Sequence, residues 1–159
     1  MENSNHIFAD FANWFVNGPE EGSSEIVLPN LLERDKLDFS VLSLKIVDAY
    51  LAKIRASAPE NLSSGRWLPT VLRAGAYVGE VFARESSEVL NWIEFDDLME
   101  LHPEASKWLG ETRGLANNAV LATADFKFMT APHGKVCKFI WDGPEDSVWY
   151  YVETFLKKV

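Results

Sequence analysis

The 159-residue chain carries 24 acidic and 15 basic side chains, which gives a net charge of -9. This charge opposes contact with nucleic acid or an anionic membrane surface and favours a basic partner. Hydrophobic residues make up 47% of the sequence and aromatic residues 13%, a composition that excludes a disordered chain and predicts one domain over residues 1–159.

The sequence also indicates a compartment. The single cysteine, Cys137, cannot form an internal disulfide, which favours a reducing environment. The first basic residue is Arg34, so the N-terminal segment lacks the basic region of a signal peptide. No apolar run approaches the roughly 18 residues of a membrane span. We therefore expect a cytoplasmic protein without membrane association.

Residues 1–37 are predicted to form a helix followed by an irregular extension. Ser4 or Asn5 can cap this helix, and Asn17-Gly18 can end it. Its apolar residues recur at helical spacing: Phe8, Phe11, Ala12 and Phe15. Further along, the apolar run at 26–28 is compatible with a short strand or an anchored loop.

A second helix opens the predicted core, which spans residues 38–159. Ser40 is the expected cap, and Pro59 places the end of the helix near Ser57 because a proline disfavours helix at the residue before it. The expected buried face is Leu44, Val47, Leu51 and Ile54. The expected solvated face is Lys45, Asp48, Lys53 and Arg55. The formal glycosylation sequon at 61–63 carries no meaning in a chain without an export signal.

A third helix is predicted to form the centre of the fold, with Pro69 in its first turn and its end near Ser86. One stripe of this helix holds Leu72, Gly75, Gly79 and Phe82, and the opposite, polar stripe holds Arg73, Tyr77, Glu80 and Arg84. Each helical glycine costs roughly 1 kcal/mol relative to alanine. We therefore expect another backbone or an aromatic ring to pack closely against Gly75 and Gly79.

The second half of the chain alternates short strands and helices. A strand is predicted over 89–95, a short helix from Asp96 or Asp97, and another from Pro103 to Gly110. Residues 119–129 and 135–141 are predicted to form a hairpin around the turn at 132–134. A last helix should bury Val148, Val152, Phe155 and Leu156. The fold class is therefore α+β, with a small antiparallel sheet of three or four strands packed against about four helices.

Several of these residues also form a recognisable pattern. Ser40, Ser43-Leu44, Asp48, Tyr50-Leu51 and the segment 72–84, with Gly-Ala-Tyr-Val-Gly-Glu at its heart, resemble a family of small uncharacterised bacterial cytoplasmic domains. Members of that family carry a similar glycine-bearing helix and a strand with a tryptophan, here Trp92. The resemblance runs from about residue 38 to the C-terminus. It implies a bacterial cytoplasmic α+β domain and brings no activity or catalytic residue.

Catalytic motifs are missing from the sequence. It contains no nucleophile elbow, zinc-protease motif, phosphate-binding glycine loop or Cys-x-x-Cys. The histidines His6, His102 and His133 are scattered, and His133 falls in a predicted turn, four residues before Cys137. We expect Cys137 to pack in the core rather than to react, and we predict no metal and no cofactor.

The clearest charge feature is the segment 85–106, which holds seven carboxylates and no Lys or Arg: Glu85, Glu88, Glu94, Asp96, Asp97, Glu100 and Glu104. An acidic patch with aromatic anchors is typical of a surface that binds a basic protein. The predicted contact residues are Trp92, Glu94, Asp96, Asp97, Glu100, Glu104 and Trp108. The chain would then be a non-enzymatic interaction domain, for example an immunity-type inhibitor, although the segment could also be only a solubilising face.

The alternative prediction is a pocket built from Arg73, Tyr77, Glu80 and Arg84. In a cleft between the helix and the sheet, this set could bind a small molecule or hydrolyse it. If the same stripe faces bulk solvent, Glu80 and Arg84 form only a surface ion pair worth roughly 0.3 to 0.5 kcal/mol. Burial of the stripe therefore separates the two interpretations.

Overall fold

The computed structural model describes residues 4–58 and 64–159, which form seven α-helices and one three-stranded sheet. The helices are α1 (Asn5–Asn17), α2 (Leu44–Ser57), α3 (Ser64–Glu85), α4 (Phe95–Leu101), α5 (Ser106–Leu109), α6 (Pro132–Asp142) and α7 (Val148–Leu156). The strands are β1 (Asn91–Glu94), β2 (Ala119–Ala122) and β3 (Met129–Thr130), antiparallel in that order. The α+β class is confirmed, and the expectation of about four helices is too low.

The first two helices lie close to their predicted bounds. α1 starts after Ser4 and ends at Gly18, whose φ of 90° suits a glycine. α2 begins at Leu44, after a turn in which the Ser40 hydroxyl accepts the Ser43 amide at 3.1 Å. All four residues predicted for its inner face are buried. The run at 26–28 is an anchored loop, since the Val27 amide donates to Thr70 Oγ1 at 2.8 Å.

α3 lies at the centre of the molecule, between α1 on one side and α6 and α7 on the other. It begins at Ser64, earlier than predicted, so Pro69 lies inside the helix rather than in its first turn. The sequon at 61–63 falls outside the described residues. From Val71 to Gly79 only Leu72 is not fully buried, so the predicted polar stripe is covered along most of its length. A helix that is buried on all sides in this way is a core element.

The sheet separates two hydrophobic clusters, because successive strand residues point to opposite faces. Trp92 and its cross-strand partner Leu121 face α3, beside Gly79. Val120 and Ala122 face the other way and pack with Phe95 of α4 and Leu109 of α5. The short helices α4 and α5 thus cover the outer face of the sheet. They pack there against Val120 and Ala122, the β2 side chains that point to that face.

The predicted hairpin is wrong in both strands, which were expected over 119–129 and 135–141. β2 ends at Ala122, a turn covers 123–128, and β3 is only two residues long, while residues 135–141 belong to helix α6. Pro132 occupies the first turn of α6, where its missing amide has no intrahelical partner. The buried residues of α6 recur at helical spacing: Pro132, His133, Val136, Cys137, Phe139 and Ile140. Trp141, expected on the same face as Cys137 and Phe139, is 54% exposed.

The remaining helices follow the predicted order. α4 starts at Phe95, with Glu94 rather than Asp96 or Asp97 at the capping position, and α5 ends at Gly110 as expected. α7 buries Val148, Tyr151 and Val152, whereas Phe155 and Leu156 are only partly buried. Within residues 4–58 and 64–159, no helix combines the length and the apolar character that crossing a membrane requires.

Candidate functional site

An acidic surface covers α4, the turn at Pro103–Ala105 and α5. Asp96, Glu100 and Glu104 are exposed, and Asp97 is half-buried. Leu101 and Trp108 on the same segment are each 50% exposed, so the segment presents two large apolar side chains to solvent. We call these six residues the acidic face: Asp96, Asp97, Glu100, Leu101, Glu104 and Trp108.

Helical periodicity explains why these carboxylates point outwards. Phe95 and Leu98 of α4 are buried against the outer face of the sheet, so the residues between and after them are turned towards solvent. Arg113 Nη1 lies 3.4 Å from Asp96 Oδ2, and both side chains are more than half exposed. In the described part of the chain, no Lys or Arg pairs with Asp97, Glu100 or Glu104. Three carboxylates of the face therefore make no ion pair within the described residues, although the exposed Lys107 of α5 follows Glu104 by three residues.

Two predicted contact residues lie elsewhere. Trp92 is only 1% exposed and stacks on Phe8 with the ring centroids 4.4 Å apart, so its assignment as a surface anchor is wrong. Glu94 is half-buried and accepts a hydrogen bond from Ser4 Oγ at 3.0 Å. Glu85 and Glu88 precede β1, with Glu88 beside the C-terminal residue Val159, so they are separated from the acidic face by the length of the strand.

The residues of the alternative pocket do not converge on one cleft. Arg73 is 4% exposed, and its Nη1 lies 3.8 Å from Glu25 Oε1, in contact with the N-terminal extension rather than with Glu80. The Arg73 guanidinium also lies 5.2 Å from the ring centroid of Trp14. Burial lowers the pKa of Arg73, but an arginine stays protonated at neutral pH. Its role is to join the loop before α2 to the central helix.

Tyr77 is also a packing residue. Its hydroxyl lies 2.6 Å from Ser43 Oγ and accepts the Phe39 amide at 2.9 Å. Burial raises the pKa of Tyr77, and the hydrogen bonds from Ser43 and Phe39 offset only part of that rise. Phe39 has a φ of 63°, which is strained for a bulky side chain, and the Arg84 guanidinium covers its ring at 3.8 Å. Tyr77 and Arg84 thus hold the loop before α2 in place.

Glu80 is the member of that set that lines an open groove. The groove, about 310 Å³, lies between α1, α3 and β1 and is lined by Asn5, His6, Ala9, Glu80, Ala83, Leu90 and Trp92. Trp92 Nε1 donates to Glu80 Oε1 at 3.1 Å. Burial raises the pKa of Glu80, while the Trp92 hydrogen bond and the nearby Arg84 oppose the rise. A half-buried carboxylate beside a tryptophan matches the cleft expected for a small-molecule site.

His133 and Cys137 lie inside the core. His133 is not in a turn but in the first turn of α6, where it is fully buried, and its Nε2 donates to the Leu72 carbonyl at 3.0 Å. No hydrogen-bond partner reaches Nδ1 from the described residues. Burial lowers the pKa of His133 to about 4 and raises that of the Cys137 thiol to about 12. At neutral pH both side chains are uncharged.

A second groove, about 710 Å³, is larger and mostly apolar. α1 contributes Ile7, Phe8 and Phe11, α3 contributes Gly65, Leu68 and Leu72, and the remaining lining is Glu94, Arg113, Gly114, Leu115 and Asn118. No sequence pattern marks this groove, because it forms between three parts of the chain that are far apart in sequence. Once the helix starts at Ser64, residues 65, 68 and 72 share one face, and Leu68 is left 45% exposed.

Asp48 has a structural role at the start of α7. The expectation that it lies on the solvated face of α2 is wrong, because Asp48 is half-buried against the start of α7. Its carboxylate accepts Ser147 Oγ at 2.6 Å, the Val148 amide at 2.7 Å and the Trp149 amide at 3.3 Å. Burial raises its pKa, and these three donors work against that rise. Asp48, a residue of α2, therefore caps the N-terminus of α7.

No group of three His, Cys, Asp or Glu residues within 4–58 and 64–159 has the arrangement of a metal site. Comparison with known proteins gave no match: no protein-family model, no curated protein and no solved structure matches this chain. The resemblance to the bacterial domains with the Gly-Ala-Tyr-x-Gly-Glu helix therefore stays a prediction.

Proposed function

We propose that this protein is a non-enzymatic, cytoplasmic interaction domain that binds a basic protein through its acidic face. More specifically, we propose a bacterial immunity-type inhibitor, a protein that neutralises its partner by binding it. The observation that carries the proposal is the acidic face itself. There, Asp97, Glu100 and Glu104 make no ion pair among the described residues, and Leu101 and Trp108 of the same face are exposed.

The two kinds of side chain have complementary roles in binding. Carboxylates without a basic neighbour attract a basic surface and accelerate encounter. Large apolar side chains supply affinity when a partner removes them from water, and tryptophan is among the residues that most often dominate an interface. On this face Leu101 and Trp108, each 50% exposed, lie in the same segment as carboxylates that make no ion pair. Their presence favours an interface.

The positions of the reactive side chains support a binding rather than a catalytic role. Cys137 is buried with a pKa of about 12, so it holds no thiolate at neutral pH. His133 is buried with a pKa of about 4 and is surrounded by Phe8, Trp92 and Gly75. Both residues contribute packing. A nucleophile and a base that lie inside the core cannot reach a substrate.

The experiment is affinity capture with three forms of the protein: wild type, an acidic-face variant and a charge-matched control. The acidic-face variant is Asp96→Lys/Asp97→Lys/Glu100→Lys. The control is Glu20→Lys/Glu21→Lys/Asp142→Lys, which makes the same change in net charge at exposed positions outside the face. We expect a basic protein that wild type and control retain and that the acidic-face variant loses. Equal retention by all three forms would contradict the proposal.

A second candidate function rests on the Glu80 groove. The half-buried Glu80 carboxylate beside Trp92 suits a small ligand that carries an amine or another hydrogen-bond donor. Its test is a thermal-shift screen of small amines against wild type and Glu80→Gln. Stabilisation of wild type that the variant loses would support this function over the protein interface.

A further inference from the structure

We propose that the apolar groove between α1, α3 and residues 113–118 takes up apolar side chains of the basic partner. The partner would then present an amphipathic basic segment, with apolar side chains in the groove and Lys or Arg over the neighbouring carboxylates. This inference rests on the proposed function and names the part of the partner that is recognised. The apolar side chains that line it include Phe11, Leu68, Leu72 and Leu115.

The groove has the size and the chemistry of a binding site. Its volume of about 710 Å³ lies within the range of ligand pockets, roughly 300 to 1,000 Å³, and its lining is mainly aliphatic and aromatic. Leu68 is 45% exposed at its edge. Phe11 and Leu115 are half-buried, so their side chains still have surface that a partner could cover.

The groove is continuous with the acidic face. Glu94 lines the groove and directly precedes α4, and Arg113, which also lines it, pairs with Asp96 of the acidic face. A segment that fills the groove therefore passes next to the carboxylates of α4. One binding surface can include both features without any change in the fold.

The charges next to the groove favour a cationic occupant. The groove itself is lined by one carboxylate and one guanidinium, from Glu94 and Arg113, and the adjoining start of α4 adds the carboxylates of Asp96 and Asp97. The net charge of this set is -2, and Arg113 is already paired with Asp96. An anionic amphiphile would meet an excess of like charge here, whereas a Lys- or Arg-bearing segment meets complementary charge.

The test uses two synthetic peptides as probes. One is an amphipathic peptide of leucine and lysine with its leucines at helical spacing, and the other is a peptide of the same charge in which glycine replaces leucine. Calorimetry measures the binding of each to wild type, to Leu68→Glu and to the control Leu42→Glu. Leu42 is also exposed but does not line the groove. Both variants add one negative charge, so attraction by charge alone would tighten both complexes.

We expect Leu68→Glu to weaken binding of the leucine–lysine peptide by about tenfold or more, because an apolar contact is replaced by a charge. Leu42→Glu should leave that binding unchanged or slightly tighter. The glycine–lysine peptide should bind more weakly to wild type and should not be weakened by Leu68→Glu. Failure of the leucine–lysine peptide to bind wild type, or equal binding to both variants, would overturn the groove assignment.

The acidic-face variant Asp96→Lys/Asp97→Lys/Glu100→Lys separates this inference from the proposed function. If it weakens both peptides while Leu68→Glu weakens neither, the acidic face stands and the groove assignment fails. If it weakens neither peptide, the proposed function fails whatever the groove does. Decanoate is the anionic comparison, and tighter binding of decanoate than of the leucine–lysine peptide at the groove would also overturn the inference.

Discussion

Close approach at two glycines decides how tightly the centre of the molecule packs. A Cβ atom at Gly79 would collide with the Trp92 ring, and one at Gly75 would lie 2.9 Å from the His133 Cα. The rings of Phe8, Trp92 and His133 fill the space that the missing side chains leave, with centroids 4.4 to 5.4 Å apart. The expected aromatic contact with the Gly75/Gly79 stripe is therefore confirmed.

Replacing either glycine with alanine should destabilise the protein despite the better helix propensity of alanine. Overpacking a dense core costs roughly 1 to 3 kcal/mol, more than the roughly 1 kcal/mol that alanine contributes in a helix. Gly75→Ala should cost more than Gly79→Ala because the backbone of α6 has to move. Urea unfolding measures both, with Gly114→Ala, which has only ordinary contacts, as the control. A stabilised Gly75→Ala protein would contradict the packing.

Burial of His133 makes stability depend on pH. Its pKa is about 4 in the folded protein and 6.5 in the unfolded chain, so the unfolded chain takes up the proton first as the pH falls. The contribution to stability is full above pH 6.5 and is lost as the pH falls towards 4, by up to about 3 kcal/mol. His133→Gln should show a smaller loss of unfolding free energy over this range than wild type. The exposed control His6→Gln should follow wild type, and equal losses in all three proteins would show that His133 does not titrate in this way.

At the scale of the element, the sequence predicts helices better than strands. α1, α2 and α7 have strong apolar periodicity and clear end signals, and all three form close to their predicted positions. The segment 132–142 fits two periods at once, because Cys137 and Phe139 belong both to an alternating pattern and to the helical set that includes Val136 and Ile140. Packing against α3 selects the helix, and that contact is not visible in a local window.

The functional surfaces were predictable to different degrees. The acidic character of α4 is a property of composition, and the orientation of Glu100 and Trp108 follows from the buried side of a short helix. The burial of Trp92 and Arg73 is decided by α1 and the loop before α2, which come from distant parts of the chain. The groove at Leu68 is formed by α1, α3 and residues 113–118, which a local window does not bring together. The burial of these side chains and the position of the groove therefore depend on tertiary contacts, which local sequence patterns do not reveal.

The cap that Asp48 provides to α7 should be worth a measurable part of the stability. Asp48→Ala removes the acceptor of the Val148 and Trp149 amides, and leaving buried donors unpaired costs roughly 1 to 3 kcal/mol. Asp48→Asn keeps one oxygen and should cost less. Thermal unfolding measures both, with the exposed Asp142→Ala as the control. If Asp48→Ala is as stable as the control, the cap does not hold α7.

At the scale of the whole molecule, the acidic face and the apolar groove lie next to each other on the surface. The chain has a net charge of -9, and the α4 carboxylates that make no ion pair lie beside exposed apolar residues and next to the largest apolar groove that we describe. The polar stripe of α3 was the alternative site. Three of its residues, Arg73, Tyr77 and Arg84, instead contact the loop before α2. The surface of α4 and α5 is therefore where we place recognition of a basic partner.

The most direct measurement is the dissociation constant of the captured basic partner for wild type, for Asp96→Lys/Asp97→Lys/Glu100→Lys and for Glu20→Lys/Glu21→Lys/Asp142→Lys. Charge pairs at an interface act locally, whereas bulk charge acts alike on the two variants. The account predicts that the acidic-face variant binds at least about tenfold more weakly and that the control stays within about threefold of wild type. Equal dissociation constants for the two variants would contradict it.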